Sequence, residues 1–418
     1  MHYAQNFVGT GRAPKFDLIP ETLDARQKVL DELQQGELPM LQPAIAAKIF
    51  LQWQSIVQSW RQEFTDVVVL GTGGSSLGAQ TLVALKQGCC WQEAGHPRLH
   101  FLDNLDATTF GKLLENLDAE NTGFLVISKS GYTAETLCQS LLLLQQLEGS
   151  VDVADQVLVI TQKQPDSPLL QLSQKFNLKV LEHPVDIGGR FSAFTVVGLL
   201  PALLAGVDIK QVLAGAKDTI EAFTLQQKHP AVLGAQMHNV FLQDGYTSNV
   251  LMPYTDRLYP LSLWFRQLWA ESLGKNNAGT TPVQALGPVD QHSQLQLYLD
   301  GPKDKFFTIL KASATEDTKA LDPETAGQLG LNYLAGKTMG QLNWAESLAT
   351  VDTLVAAGCP TRTIDVTLDE QSLGALMMHF FLETILTAQL WQVNPFDQPA
   401  VEASKRLTKT YLLEGENS

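Results

Sequence analysis

The chain is poor in the residues that mark several classes of protein. Only four of its 418 residues are cysteine (Cys89, Cys90, Cys138 and Cys359). They fall in no C-x-x-C or framework spacing, which excludes a disulfide scaffold and reads as reduced thiols in a cytosolic protein. Positive charge is also scarce: 29 Lys and Arg against 44 Asp and Glu give a formal net charge of −15. A broad nucleic-acid or anionic-membrane surface is therefore not expected, and any anionic ligand must be held by a local site. The eight histidines form no H-x-H or H-E-x-x-H cluster, so no catalytic metal is expected. The opening residues, MHYAQNFVGTGRAP, lack the apolar centre of a signal peptide. The longest apolar stretch, residues 194–207, is interrupted by Pro201 and too short to span a bilayer. These absences point to a soluble intracellular protein.

What is present is globular. Hydrophobic residues make up 44% and charged residues 17%, enough apolar material for a sizeable core and a length suited to two or three domains. Residues 1–65 read as helical, with apolar positions such as Ile45, Ile49, Trp53 and Ile56 at helical spacing. Apolar or β-branched runs then appear at 66–71, 99–103, 123–128, 155–161 and 178–182, each followed by a stretch of helical periodicity. That rhythm is βαβ and predicts a parallel sheet covered on both faces. After a helical region over 191–245 the pattern resumes more loosely, with strands expected at 248–253, 304–310 and 362–367. The expected organisation is α/β: an N-terminal helical segment (1–65), a first α/β unit (66–210) and a second with C-terminal helices (211–418).

Two loops have the makings of a phosphate site. In VVVLGTGGSSLG, residues 67–78, glycines and Ser75 stand between a strand and a helix, where backbone N–H groups favour an anion. The alternatives are a ligand-free turn or a dinucleotide loop. For the latter, Ser76 stands where a third Gly is needed, and Asp103 follows Gly71 by 32 residues rather than the usual ~20. The second loop, SKSGYTAET (128–136), sets Ser128, Lys129, Ser130 and Thr133 at a helix N-terminus. Several short donors converging there suit the three oxygens of a phosphomonoester; the plainer reading is an N-cap cluster with Glu135 as a first-turn carboxylate.

Other groups are placed for proton chemistry. Residues 261–275 form an amphipathic helix with Leu261, Trp264, Phe265 and Leu268 on one stripe and Glu271 at its edge. A carboxylate there is partly desolvated and so a stronger base, unless it is only an exposed i,i+4 partner of Lys275. Arg190 follows a Gly-Gly bend and suits an oxyanion, or is an ordinary surface arginine. His292 lies in a loop where it could shuttle protons, and Lys405 near the start of a C-terminal helix is by default solvated.

Taken together, GTGGSSLGA, ISKSGYTAET, GGRFSAFTVVGLLP, WFRQLWAESLGK, DQHSQLQLYLDG and NPFDQPAVEASK resemble the glucose-6-phosphate isomerase (phosphoglucose isomerase) family of the compact bacterial type, from about residue 66 to 406. The resemblance implies two sugar-isomerase (SIS-type) α/β/α sandwich subdomains, a homodimer, and a metal-free, cofactor-free aldose–ketose isomerisation of hexose 6-phosphate. By position it implies a phosphate cradle of Gly74, Ser75, Ser128, Lys129, Ser130 and Thr133, with Glu135 near the sugar's phosphate end. It implies Glu271 as the base that moves a proton between C1 and C2, with Gln267 one turn earlier. Arg190 is implied to stabilise the enediolate, and His292, lent by the neighbouring subunit, with Lys405 to handle ring opening. Three departures are visible. Tyr132 stands where a small hydroxyl is usual, Thr72 where Ile is common, and Asp290 is set to raise the His292 pKa if their side chains meet. The competing functions are a dual phosphoglucose/phosphomannose isomerase, a catalytically silent sugar-phosphate sensor, and a nicotinamide dehydrogenase.

Overall fold

The computed structural model describes residues 2–8, 17–42, 53–312 and 319–414. Its strands, in chain order, are β1 (Tyr3–Val8), β2 (Asp66–Leu70), β3 (Gln87–Gly88), β4 (Trp91–Gln92), β5 (Arg98–Leu102), β6 (Thr122–Ile127), β7 (Val157–Thr161), β8 (Lys179–Glu182), β9 (Ser248–Pro253), β10 (Thr281–Gln284), β11 (Lys305–Ala312) and β12 (Thr361–Val366). The first sheet has the order β5-β2-β6-β7-β8 with every pair parallel. Its central strands β2, β6 and β7 are buried, mostly apolar runs because both faces are covered, whereas the edge strands β5 and β8 are more polar. Val67, Val69, Leu125, Ile127, Leu158 and Ile160 face the central core. The alternate residues Val68, Leu70, Phe124, Val126, Val157 and Val159 pack with Leu143, Leu144 and Leu147 of the helix Ala134–Leu147.

The second sheet has the order β1-β12-β11-β9-β10. Strands β9 to β12 are parallel, and β1 joins the edge antiparallel to β12, with Tyr3 opposite Val366. The N-terminal segment is thus not helical throughout, because residues 3–8 supply an edge strand to the distant half. The helices Pro20–Gln35 and Gln54–Glu63 do form, and Trp53 is buried. Ile45 and Ile49 lie outside the described residues.

Between the sheets runs the helix Glu370–Trp391, packed against the helices Ile209–Leu225, Pro230–Gln243 and Tyr259–Leu273. By length and composition it would cross a membrane, yet Ser372 to Ala388 are all buried in the core. A helix apolar on every side belongs at such a centre. Its one buried carboxylate, Glu383, is held by Arg362 through paired bonds of 2.6 and 2.8 Å. His238 Nε2 lies 3.1 Å from Oε1, and His379 Nε2 is 3.0 Å from Oε2 but out of line for a hydrogen bond. Burial alone would raise the Glu383 carboxyl; Arg362 and the two imidazoles hold it well below the ordinary carboxylate range. The Tyr3 hydroxyl meets His379 Nδ1 at 2.9 Å, tying β1 to the same cluster.

Candidate active site

The strand order of the first sheet reverses between β2 and β6, since the chain passes from β2 to β5 on one side and then to β6 on the other. In open parallel sheets ligands bind beyond the carboxyl ends of the strands at such a point. The two loops leaving β2 and β6 there are the two glycine- and hydroxyl-rich loops. In the first, residues Gly73–Ser75 form a 3₁₀ turn. A Cβ on Gly73, whose φ is +55°, would meet Gln267 Nε2 at 2.8 Å. One on Gly74 would lie 2.2 Å from the Gly189 carbonyl carbon. Both positions therefore require glycine, and the contacts bring the loop against Gln267 and the Gly189–Arg190 bend. The Ser192 hydroxyl donates to the Gly74 carbonyl at 3.1 Å, and Ser75 is half-buried at the end of the turn.

In the second loop the Ser128 and Thr133 hydroxyls lie 2.9 Å apart. Ser128 Oγ accepts the Gly131 N–H at 3.2 Å, and Ser130 Oγ accepts the Tyr132 N–H at 3.2 Å. Thr133 flanks the helix Ala134–Leu147, but its hydroxyl does not cap it. The Lys129 side chain is half-buried with no carboxylate in ion-pair distance among the described residues. Burial pulls its pKa down, with Asp186 opposing. A cation so placed favours an incoming anion. Tyr132 does not fill the loop: its hydroxyl donates to Asp166, 2.9 Å to the carboxylate and 3.0 Å to the carbonyl. Glu135 is exposed on the first helical turn.

The helix Tyr259–Leu273 buries Leu261, Trp264, Phe265 and Leu268 as its stripe requires, leaving Glu271 at the edge. The carboxylate is not set in an apolar pocket: its side chain is 35% exposed and Oε2 accepts from Arg190 Nη1 at 3.2 Å. Gln267 Nε2 donates to Oε1 at 3.1 Å. Arg190 is buried, not a surface residue, and its five N–H directions all find acceptors. Nε donates to Ser272 Oγ (2.9 Å), Nη1 also to Gln398 Oε1 (2.8 Å), and Nη2 to the carbonyls of Asp397 (2.9 Å) and Pro395. Burial lowers the guanidinium's pKa, and Glu271 and then Asp397 pull it back up. Lys275 does not pair with Glu271; its ammonium lies 3.1 Å from Asp397 Oδ1 and donates to the carbonyls of Ser272 and Asn394. Two cations thus strap residues 394–398 across the end of this helix. Gln398, which no sequence argument singled out, is thereby placed beside Glu271. Its only signal was its place in the NPFDQPAVEASK run.

His292 and Lys405 stand apart from this group. His292 is exposed at the end of the turn Val289–His292. The turn is anchored instead by Gln291, whose Nε2 donates to Tyr254 Oη (2.6 Å) and Thr350 Oγ1 (2.8 Å). Asp290 is not committed to His292: its carboxylate accepts from the Leu286 N–H (2.7 Å) and the Ser293 hydroxyl (2.5 Å). Lys405 projects from the helix Glu402–Glu414, which buries none of its residues, and pairs with Glu402 at 2.7 Å. Within one chain neither group bonds to Glu271 or Arg190. Among the described residues no cluster of three or more His, Cys, Asp or Glu side chains could hold a metal.

The family model for phosphoglucose isomerase matches residues 52–418. The chain is 40% identical over 352 residues to the glucose-6-phosphate isomerase of Rubrobacter xylanophilus, covering 82% of each chain. It is 38% identical over 359 residues to a glucose-6-phosphate isomerase of Thermus thermophilus, covering 83% of each. A crystal structure of a hypothetical protein from T. thermophilus superposes with a TM-score of 0.86 at 33% identity, over 98% of this chain and all of that one. A glucose-6-phosphate isomerase structure from Chlamydia trachomatis aligns at 0.73 over 99% of this chain and 82% of its own; at 21% identity it bears on the fold alone.

Proposed function

The chain belongs to the phosphoglucose isomerase family and interconverts glucose 6-phosphate and fructose 6-phosphate, and we propose that the cleft around Glu271 and Arg190 is where it does so. One observation supports this placement: Gln267 bonds Glu271 and lies against Gly73 of the first loop, which sets the carboxylate beside that switch-point loop. The phosphate is held by Ser128, Lys129, Ser130 and Thr133, with Ser75 and the backbone of Gly74 closing from the other loop. That grip uses remote binding energy to fix C1 and C2 beside the base.

Glu271 takes the proton from one carbon of the open-chain sugar and returns it to the next through a cis-enediolate. Arg190 supplies fixed positive charge beside the base, its Nη1 donating to Glu271 and Gln398. Such charge contributes roughly 3–4 kcal/mol per well-placed donor. The closed hemiacetal has no acidic C2 proton, so ring opening needs a separate acid–base pair. His292 and Lys405 fill that role, His292 coming from the second subunit of a homodimer, which accounts for its exposure on a single chain. The halves 66–210 and 211–418 act as two sugar-isomerase units around one site, and the compartment is the cytoplasm.

The test is a coupled assay: fructose 6-phosphate supplied, glucose 6-phosphate detected, EDTA present, mannose 6-phosphate in parallel. Turnover of fructose 6-phosphate alone, indifferent to EDTA, is expected. Equal turnover of mannose 6-phosphate would make it a dual isomerase. No turnover, with glucose 6-phosphate still binding in calorimetry, would make it a sensor.

A further inference from the structure

We propose that Cys89 and Cys90 form a chelating dithiol site for thiophilic two-bond acceptors, of which a trivalent arsenical is the chemical type. The two residues are the centre of a minimal hairpin, in which Gln87 pairs with Gln92 and Gly88 with Trp91. Both thiols are exposed, and their sulfurs lie 3.3 Å apart on the same side of the turn. The hairpin is pinned to the sheet beneath it. The Gln87 side chain bonds both the carbonyl (2.7 Å) and the N–H (2.9 Å) of Leu99 on β5, and Arg98 Nε donates to Gln92 Oε1 at 2.8 Å. A Cβ on Gly88 would sit 2.4 Å from the Trp91 indole nitrogen, so the turn is closely packed on its own strand. The sulfurs are therefore held as a pair by the fold.

Geometry disfavours a direct bond between them. Adjacent Cα atoms are about 3.8 Å apart, shorter than the roughly 4.4–6.8 Å a relaxed disulfide spans, and an S–S bond is only about 2.05 Å long. One soft atom bonded to both sulfurs bridges the gap without bending the turn, and thiolates are the ligands such atoms prefer. With a monosubstituted arsenic(III) oxide the step balances without redox change. Two As–S bonds form, the arsenic–oxygen bond is lost, and the two thiol protons leave with that oxygen as water. Once one sulfur is bonded the second reacts intramolecularly, which gives the pair its affinity. The other thiols cannot do this: Cys138 is exposed but solitary, and Cys359 is buried with its Sγ 3.4 Å from the Tyr298 carbonyl. The hairpin follows the C-terminal end of the helix Leu77–Val83, whereas Ser75 precedes its start, so the thiols lie at the other end of that helix from the proposed phosphate loop.

The test uses the reduced full-length chain and phenylarsine oxide, read by native mass spectrometry and competition. One adduct per chain is expected, stable to excess monothiol and removed by a dithiol. Cys89→Ser and Cys90→Ser should each weaken binding at least about 100-fold, Cys138→Ser should leave it unchanged, and isomerase activity retained in all three shows that they fold. Binding unchanged in either single variant, release by monothiol, or an adduct on Cys138 would overturn the proposal.

Discussion

At the scale of single residues, the site is built by charges that have no water to turn to. The Arg190 side chain is only 3% exposed, and a buried guanidinium without partners would cost several kcal/mol. Glu271, three carbonyl or amide oxygens and a serine hydroxyl answer that need, and in doing so fix the carboxylate's orientation. Lysine would not replace it, since one ammonium cannot reach five acceptors in a plane. The Ser128–Thr133 loop shows the opposite condition. Its hydroxyls bond only to each other or to the loop's own backbone N–H groups, and among the described residues no carboxylate lies in ion-pair distance of Lys129, which leaves them ready for an anion. Replacing Ser130→Ala with Thr133→Ala should raise KM for fructose 6-phosphate roughly 10²–10⁴-fold, at about 1.5–3 kcal/mol for each hydrogen bond to a charged group, with kcat within about threefold. Steady-state kinetics decide it; an unchanged KM would mean that the phosphate sits elsewhere.

At the scale of elements, the central helix is held in register by Glu383. Gly234 on the neighbouring helix allows the approach: a Cβ there would come within 1.9 Å of Glu383 Oε2. Glu383→Gln would leave Arg362 buried without its counter-charge, and the expected loss is about 3–5 kcal/mol, measured by urea unfolding. A loss under about 1 kcal/mol would mean that the cluster is not what anchors β1, β12 and the central helix together. The five strands of the first sheet and β9, β11 and β12 of the second were legible in the sequence as apolar or β-branched runs, the composition that buried strands favour. The strand β1 was not, because only Tyr3 within YAQNFV is fully buried; its pairing partner lies some 360 residues away and leaves no local trace. The short β10 strand, TPVQ, escaped for a similar reason, being half-exposed at the other edge. Glu370–Trp391 does not read as an unbroken apolar run because His379 and Glu383 interrupt it, although both are buried.

At the scale of the whole molecule, the proposed catalytic group is assembled from segments far apart in sequence. The loops of the first sheet, the Gly189–Arg190 bend, the helix carrying Glu271 and the strap at 394–398 meet where the first sheet's order reverses. The sequence motifs named most of these residues but not their pairings; that Arg190 is buried, that Lys275 holds the strap and that Gln398 joins it depend on contacts spanning up to 208 residues. The proposed ring-opening pair, His292 and Lys405, is exposed in the single chain. A homodimer that shares His292 makes a specific demand: Glu271→Gln and His292→Ala subunits, each inactive alone, should recover activity when unfolded together and refolded as a mixture, approaching a quarter of the wild-type level. No recovery would place His292 in its own subunit's site.

The central claim is that Glu271 is the single base. It is tested most directly by comparing Glu271→Gln with the parent for turnover of fructose 6-phosphate and for glucose 6-phosphate affinity by calorimetry. A kcat reduced by about 10²–10⁴, with the dissociation constant within about threefold, is expected. Turnover close to that of the parent would contradict it.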